Sequence, residues 1–171
     1  MKLTLGIIMS FLLSCSSNGY KTKVDYVEID RFMGDWYVLA GRFTMFETDV
    51  HNGIETYKWN EKEERIDIAF TYNQGGFDGE KKSYPQKGYI YNEKTNAHWK
   101  VSPFWPLKFD YLIVDLAEDY SWVAVGVPSQ SYLWIMARDY KNSEQVIKTA
   151  QKRLESKGYK ADELVYVPHK Y

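Results

Sequence analysis

Short runs in which apolar and polar residues alternate recur along most of the chain, separated by polar turns. In the clearest run, residues 65–72, four large apolar side chains alternate with smaller or polar ones. A period of two predicts a β-strand with one buried face. The runs that we interpret as strands are residues 36–43, 54–59, 65–72, 83–91, 97–102, 111–116, 122–127 and 132–138. Such a succession of short strands predicts an up-and-down sheet, and closure into a barrel removes its exposed edges.

One segment near the C-terminus has the period of an α-helix instead. Asn142 or Ser143 can cap its start, and Gly158 ends it. Its apolar stripe should pack on the outside of the barrel, and it consists of Val146, Ile147, Ala150 and Leu154. Residues 164–167 form a short final strand in this interpretation. The predicted fold class is therefore all-β: an eight-stranded antiparallel up-and-down β-barrel with one C-terminal α-helix packed outside.

The connections between the predicted strands make the two ends of this barrel different. Long or apolar connections, at residues 44–53, 73–80 and 103–108, all fall at one end because successive connections alternate between ends. Short polar turns occupy the other end, which residues 27–33 should plug. The result is a cup, and an eight-stranded barrel has an interior suited to one small apolar ligand.

The first residues of the chain have the pattern of a targeting segment. Residues 3–13 are almost wholly apolar and follow Lys2, a length typical of a signal peptide and too short to span a bilayer as a helix. The run ends in Leu-Leu-Ser-Cys, which resembles the bacterial lipobox, with the lipidated residue at Cys15. We therefore predict a lipoprotein signal peptide at 1–14, a lipidated tether at 15–24 and one domain at 25–171. An ordinary cleaved signal with a chance cysteine is the alternative.

The residue after the predicted lipidated cysteine bears on the compartment. Ser16 resembles the residue found there in lipoproteins that are sorted to the outer membrane. Two acyl chains provide the multiple anchors that stable membrane attachment needs. We therefore expect a protein that is lipid-anchored in a bacterial outer membrane and faces the periplasm.

Composition narrows the possible classes of protein. The 171 residues are 44% hydrophobic and 26% charged, which excludes wholesale disorder, and the 17% aromatic content favours a β protein. The net charge of −1 gives no electrostatic argument for a nucleic-acid partner. Cys15 is the sole cysteine, so an intramolecular disulfide and a cysteine-based zinc site are excluded.

The sequence shows no arrangement of residues that is typical of catalysis or metal binding. His51, His98 and His169 are far apart and have no second ligand type at metal spacing. Ser121 and Ser129 lack a nucleophile elbow and a visible partner base. We therefore expect no catalytic residue, no metal and no cofactor, and a protein that is not an enzyme.

Three segments carry a resemblance to the lipocalin family. Gly-Asp-Trp-Tyr at 34–37 matches the Gly-x-Trp motif that opens the lipocalin barrel. Residues 119–126 resemble the second lipocalin motif, and residues 132–138 resemble the third, ending in its arginine. The resemblance covers about residues 25–168, and its order and spacing are similar to the branch of bacterial outer-membrane lipoproteins and apolipoprotein D.

The resemblance implies structural roles at the closed end. The predicted topology also brings Trp36, the 119–120 turn and Arg138 to that end, and in lipocalins the arginine packs across the tryptophan face, a cation–π contact. The residues to which we assign a structural role are Gly34, Trp36, Asp119, Tyr120 and Arg138.

Candidate ligand-binding residues follow from strand alternation and from the resemblance. If Trp36 points inward, a period of two places Val38 and Ala40 inside as well. On the last strand, the face of Arg138 also carries Met136, Trp134 and Tyr132. The resemblance implies that Tyr57 and Tyr111 face the cavity. The candidate ligand-binding set is Val38, Ala40, Tyr57, Tyr111, Trp134 and Met136. The alternative is that these rings fill the barrel and leave no cavity.

These features predict a lipid-anchored carrier that binds, stores or transports a fatty acid or lysophospholipid at the outer membrane, for envelope maintenance or stress. Rings with hydroxyl and indole N–H groups suit an acyl chain that ends in a polar group. A carrier of another apolar molecule, such as a tetrapyrrole or carotenoid, and a lipocalin-type isomerase remain alternatives. Whether the protein forms a homodimer is not decided by the sequence.

The apolar connection Phe104–Leu107 is a candidate gate or membrane contact, with core packing beneath a loop as the third interpretation.

Overall fold

Antiparallel strands wrap around an aromatic interior in the computed structural model, which describes residues 24–45 and 47–170. The predicted signal peptide at 1–14, Cys15 and all but the last residue of the 15–24 tether lie outside the described residues. The described elements are, in chain order, α1 (Ile29–Phe32), β1 (Gly34–Arg42), β2 (Val50–Asn60), β3 (Arg65–Gln74), β4 (Glu80–Ile90), β5 (His98–Ser102), β6 (Phe109–Leu116), β7 (Trp122–Gly126), β8 (Leu133–Ala137), α2 (Ser143–Ser156) and β9 (Val165–Tyr166).

Each strand from β2 to β7 pairs with the next one along the chain, and all these pairings are antiparallel. The barrel closes because β1 pairs with both β8 and β2. The short β9 adds to β1 beyond the part that pairs with β2. The predicted fold, an eight-stranded up-and-down barrel with a C-terminal helix outside, is confirmed.

The hairpins on one side of the barrel are longer than the sequence pattern predicts. Val50 pairs with Gln74, so part of the predicted 44–53 connection is strand. Gln74 in turn pairs with Glu80, which shortens the predicted 73–80 loop. By contrast, β4 pairs with β5 only through residues 87–90. The upper half of β4, residues 80–86, therefore pairs with β3 on one side. On its other side it has no β5 partner among the described residues.

A β-bulge in β1 changes which of its side chains face the interior. Val38 pairs with Met136, but Ala40 pairs with Ile135, so the register shifts by one residue between them. Leu39 and Ala40 both lie in the outer apolar cluster with Ile135, whereas Val38 lies in the inner one. The expectation that Ala40 faces the interior is therefore wrong, because a bulge interrupts the period of two.

Helix α2 packs its apolar stripe on the outside of β6, β7, β8 and β1. The buried residues of the stripe are Ile147, Ala150 and Leu154. Asn142 precedes the helix but makes no side-chain cap, and its carbonyl instead accepts the N–H of Val146 at 3.1 Å. Gly158 has a φ of +75°, the left-handed conformation that ends helices.

Within the described ranges, no helix has the length and apolar character that crossing a bilayer requires.

A buried ion pair that the sequence analysis did not anticipate fixes α2 to the barrel. Asp115 on β6 has no solvent exposure. Arg153 binds both of its carboxylate oxygens, through Nε at 2.8 Å and Nη2 at 2.6 Å. The ammonium group of Lys157 adds a third contact at 2.9 Å. These contacts compensate the cost of burying a carboxylate.

Candidate ligand-binding site

The closed end is organised around Arg138 and Trp36. The Arg138 guanidinium carbon lies 3.7 Å from the centre of the Trp36 ring. Its N–H groups donate hydrogen bonds of 2.7–3.0 Å to the backbone carbonyls of Arg31, Phe32, Met33 and Asp35. Gly34 has a φ of +97°, and a Cβ there would lie 3.3 Å from Arg138 Nη1. Glycine at 34 thus permits both the backbone turn and the approach of the arginine.

The turn between β6 and β7 reaches the same end. The backbone N–H of Glu28 donates to the Tyr120 hydroxyl at 2.8 Å, and the Arg31 guanidinium carbon lies 4.0 Å from the centre of the Tyr120 ring. Asp119 Oδ1 accepts the backbone N–H of Ser121 at 3.0 Å. Hydrogen bonding from Ser121 holds the pKa of Asp119 below its ordinary value. The structure thus brings all five residues with predicted structural roles to one end.

Above Arg138, aromatic rings form the floor of the barrel. Phe32, at the end of α1, contacts the rings of Trp36, Tyr57 and Trp99 at centroid distances of 5.1, 5.2 and 5.1 Å. The indole N–H of Trp36 donates to the Phe32 carbonyl at 2.8 Å. Residues 27–33 thus close this end, as the sequence pattern predicts.

An acid–tyrosine cluster lies directly above the floor. The Tyr57 hydroxyl donates to Glu55 Oε2, and it lies 2.5 Å from the Tyr111 hydroxyl. The Tyr111 ring stacks on Trp99 with centroids 5.2 Å apart and an interplanar angle of 6°. Glu55 is 8% exposed. Burial first, and the nearby charge of Glu47 second, raise the pKa of Glu55 to about 8.

The protonation of Tyr111 follows from the same surroundings. Burial, and then the proximity of Glu55, raise the pKa of Tyr111 well above its ordinary value. Near neutral pH, Glu55 is therefore mostly an uncharged carboxylic acid and Tyr111 a neutral phenol. The cluster can both donate and accept hydrogen bonds while it carries little net charge.

Glu47 reaches this interior from the connection between β1 and β2. Its Oε1 accepts the indole N–H of Trp134 at 3.0 Å, and its Oε2 accepts the N–H and hydroxyl of Thr44 at 3.0 and 2.8 Å. Trp134 lies partly buried against the inner cluster, which also contains Met136 and Val38. Of the six candidate ligand-binding residues, the structure thus brings five to the interior and places Ala40 outside.

Aromatic rings also line the inner face of the hairpin formed by β3 and β4. Phe70 and Tyr72 have centroids 5.0 Å apart, and Tyr72 stacks on Tyr84 at 6.0 Å with an interplanar angle of 12°. Tyr84 lies on the half of β4 without a β5 partner and is 47% exposed. Solvent therefore reaches the inner face of the barrel wall at this position.

The connection between β5 and β6 lies over the outer face of the barrel. Phe104 and Trp105 are 64% and 88% exposed, so the interpretation that they pack beneath a loop is wrong. They border a groove of about 700 Å³ on the outer faces of β2, β3 and β4. The same groove is lined by three lysines, Lys58, Lys87 and Lys108, and by one acidic residue, Asp67. This patch combines exposed rings with positive charge.

Sequence reasoning missed Glu47 and Glu55, the acidic residues of the interior. The signal for Glu55 is present, because it lies two residues before Tyr57 on one strand and therefore shares its face. Glu47 lies in a connection, where no periodicity indicates direction. Across the described ranges, no group of three or more His, Cys, Asp and Glu side chains is arranged to hold a metal ion.

The closed barrel and the contact of Arg138 with Trp36 are typical of one class of protein, the lipocalins. A family model described as a lipocalin-like domain matches residues 27–169, and the chain belongs to this family. Lipocalins are in general binding or carrier proteins. The chain is 26% identical over 144 residues to the outer membrane lipoprotein Blc of Vibrio cholerae, covering 82% of this chain and 81% of that protein.

Other relatives extend this similarity. The chain is 28% identical over 150 residues to temperature-induced lipocalin-1 of Arabidopsis thaliana, covering 83% of this chain and 79% of that protein. Insecticyanin from the tobacco hornworm Manduca sexta superposes with a TM-score of 0.64 at 14% identity, covering 87% of this chain and 84% of that one. Lobster apocrustacyanin A1 gives 0.63 at 15% identity, with 83% and 79% covered. At such low identity, the structural likenesses show a common fold.

Proposed function

We propose that this lipocalin is a lipid-anchored carrier that binds, stores or transports a fatty acid or lysophospholipid at the outer membrane, for envelope maintenance or stress. The observation that carries the proposal is the inner surface of the barrel, where rings are combined with the hydroxyls of Tyr57 and Tyr111 and the carboxyl of Glu55. Rings accommodate an acyl chain, and the polar groups offer hydrogen bonds to its head or backbone. In this proposal the protein is a carrier and not an enzyme.

The ligand enters past Glu47 or beside β4. Only the hydrogen bond from the Trp134 indole joins Glu47 to the barrel wall among the described residues, so breaking this contact would open a path past its carboxyl group. The upper half of β4, where Tyr84 is half exposed, supplies a lateral opening for an acyl chain. Both routes end at the rings of Phe70 and Tyr72.

The proposed location rests on the lipobox at Cys15 and on the relatives. The Vibrio cholerae and Escherichia coli proteins that the chain matches are named outer membrane lipoproteins. The described chain starts at the closed end, where the N–H of Val27 donates to the Thr95 carbonyl at 2.8 Å. The nine Cα-to-Cα steps from Cys15 to Val24 span at most about 32 Å. An acylated Cys15 therefore keeps the barrel close to the membrane surface.

The exposed loop with Phe104 and Trp105 is the proposed second contact with the membrane. Aromatic side chains favour the interface between headgroups and acyl chains. Lys108 and Lys87, which lie beside the loop, would attract anionic headgroups. Of the two roles considered for the loop, its position over the outer wall favours membrane contact over gating.

Tryptophan fluorescence tests the carrier function. A lysophospholipid titrated into delipidated protein below its micelle concentration should quench or shift the emission saturably. Trp134→Phe should remove most of this response because Trp134 is only partly buried against the inner cluster, whereas Trp36 and Trp99 are fully buried in the floor. The matched control Trp105→Phe, on the outer loop, should keep the response. A flat titration for fatty acids and lysophospholipids with folded protein would overturn the proposal. Visible absorbance of the purified protein would instead favour the pigment alternative.

A further inference from the structure

We propose that the outer groove bordered by Phe104 and Trp105 binds a single anionic phospholipid molecule, a proposal that rests on the membrane contact proposed above. It goes beyond that contact because it gives the lipid a defined orientation. The phosphate lies among Lys58, Lys87 and Lys108, and the acyl chains lie on the apolar part of the groove. The groove has a volume of about 700 Å³, which is in the range of small-molecule sites.

Strand register builds a charged row across the outer wall. Lys58 on β2 lies opposite Asp67 on β3, and Asp67 lies opposite Lys87 on β4. Alternation directs these three side chains outward, because Ile66 and Ile68, the neighbours of Asp67 along β3, belong to the inner cluster. The row therefore places two ammonium groups in the groove, one on each side of a single carboxylate.

The carboxylate of Asp67 does not neutralise these lysines. Its Oδ1 accepts the Nε–H of Arg65 at 2.8 Å, and its Oδ2 accepts the amide N–H of Asn60 at 2.8 Å. Asp67 thus has its own cationic partner outside the row. None of the three groove lysines forms an ion pair in residues 24–45 and 47–170. The groove therefore keeps an excess of positive charge that an anionic group can compensate.

The third lysine comes from the connection between β5 and β6. The ammonium nitrogen of Lys108 lies 4.6 Å from the centre of the Tyr89 ring, a cation–π contact that holds it beside β4. Tyr89 lies two residues beyond Lys87 on the same strand, so its ring shares the outer face with Lys87. Lysines from three separate segments thus line one groove, and ammonium groups bind phosphate as point charges.

The next row toward the mouth is apolar and small. Thr56 lies opposite Ala69, and Ala69 lies opposite Pro85. Strand β5 has ended at this level, and the chain continues as the loop that carries Phe104 and Trp105. Their exposed rings border the same space. Small side chains below and rings beside them form an apolar surface on which acyl chains can lie.

The two rows together favour a phospholipid over other anionic partners. The charged row lies nearer the closed end and the apolar row nearer the mouth, so the groove matches a molecule with one charged end and one apolar end. A free phosphate or a hydrophilic acidic peptide would leave the exposed rings in water. Aromatic side chains beside lysines are instead suited to the boundary between anionic headgroups and acyl chains.

The emission of Trp105 tests the proposal in Trp134→Phe protein, in which the response from the barrel interior is removed. Two soluble lipids with the same chains, dihexanoylphosphatidylglycerol and dihexanoylphosphatidylcholine, are titrated below their micelle concentrations. The anionic lipid should shift the emission saturably and bind about tenfold tighter than the zwitterionic one. Trp105→Phe in the same background should remove this response.

Charge variants show whether the groove lysines cause the preference. Lys87→Gln combined with Lys108→Gln should bring the affinity for the anionic lipid to within about twofold of that for the zwitterionic lipid. Both lysines are exposed, so the fold should tolerate the change. Lys152→Gln, at an exposed lysine of α2, is the matched control and should keep the full preference. Equal affinity for the two lipids, or a preference that survives the double variant, would overturn the site.

A second measurement keeps all lysines in place. Raising the NaCl concentration from about 0.05 M to about 0.5 M should weaken binding of the anionic lipid severalfold and leave the zwitterionic lipid unchanged, because salt screens exposed charges. Anionic lipid binding that does not respond to salt would overturn the proposal.

Other occupants of the groove give different results. Displacement of the lipid by an equal concentration of sn-glycerol 3-phosphate or of a hexaglutamate peptide would assign the groove to a free phosphate or an acidic peptide and overturn the lipid site. A lipid-free dimer in sedimentation that Trp105→Ser dissociates would assign it to a second copy of the chain, with the same consequence.

Failure of this site is distinguishable from failure of the proposed function. Vesicle binding that depends on Trp105, without a response to the soluble lipid, would overturn the groove site and leave the membrane contact standing. A Trp134 response to lysophospholipid without a Trp105 response would overturn the groove site and leave the carrier function standing.

Discussion

Arg138 covers the face of Trp36 at 3.7 Å while its N–H groups hold four carbonyls of the segment that closes the barrel. Strand β1 begins beside this contact and strand β8 ends beside it. The Arg138 side chain therefore connects both strands to the closing segment, residues 27–33. The contact lies on the opposite side of the floor from the acid–tyrosine cluster. It therefore supports the binding interior without taking part in it.

Removing either member of this pair should destabilise the barrel. We expect Trp36→Ala to lower the free energy of unfolding by about 2–5 kcal/mol, since a fully buried ring is lost, and Arg138→Ala by less. Urea denaturation of the two single variants and the double variant measures their coupling. The losses should be non-additive by at least about 0.5 kcal/mol because the side chains touch.

The matched control for this cycle pairs Trp36→Ala with Lys148→Ala, because Lys148 lies on the exposed face of α2. Those two losses should add. Additive losses for Trp36 and Arg138 as well would contradict the coupling inferred from their contact.

Much of this fold can be predicted from local patterns. Alternation over residues 65–72 specifies a half-buried strand in itself, and the lipocalin motifs at 34–37 and 132–138 indicate which strand ends meet. Connections that alternate between ends then fix which loops share the mouth. These inferences succeed because each depends on properties of a single segment or on chain order.

The features that escape prediction depend on partner strands. The bulge between Val38 and Ala40 arises from the pairing of β1 with β8, which the sequence of β1 does not reveal. The charge of Glu55 suggests solvent exposure, although its position two residues before Tyr57 places it inside. The sequence pattern therefore predicts an open connection at 44–53 and a strand from residue 54, and it does not indicate the acidic interior.

The predicted anchor has a direct test in the cell. Cys15→Ala should abolish labelling with radioactive palmitate, since the sulfur that carries the acyl chain is lost. The chain should then stay unprocessed, or be cleaved elsewhere and released from the membrane fraction. Ser14→Ala, which keeps a small residue before the cysteine, is the control and should be labelled normally. Continued labelling of Cys15→Ala would contradict the lipobox.

The aromatic loop should contribute to membrane binding independently of the anchor. In a soluble form that starts after Cys15, Trp105→Ser should weaken sedimentation with anionic vesicles severalfold, because an 88% exposed ring no longer enters the interface. Tyr26→Ser removes a 56% exposed ring near the closed end and should have no effect. Equal vesicle binding by all three proteins would show that the loop does not contact the membrane.

The attachment of α2 depends on Asp115. Asp115→Asn should lower the free energy of unfolding by about 1–3 kcal/mol, because Arg153 and Lys157 lose the carboxylate that they share, although both remain partly hydrated. The matched control is Glu144→Gln, which removes the exposed ion pair with Lys148 and should cost under about 0.5 kcal/mol. Equal denaturation midpoints for the two variants would contradict this role.

The buried acid should give the protein a characteristic loss of stability with rising pH. The pKa of Glu55 is raised from an ordinary value of 4.5 to about 8 in the folded protein. Below pH 4.5 both states carry the proton, and between these values only the folded state does. The free energy of unfolding must therefore fall as pH increases through this window, by up to about 5 kcal/mol in total.

Comparison with Glu55→Gln isolates this effect. His169, whose pKa burial lowers, contributes a slope of opposite sign, but it is present in both proteins and cancels in the difference. Urea denaturation of wild type and variant between about pH 5 and pH 9.5 should show wild-type stability decreasing relative to the variant up to the folded pKa, with no further change above it. Parallel curves would mean that Glu55 is ionised in the folded barrel and carries its charge with a partner that satisfies it.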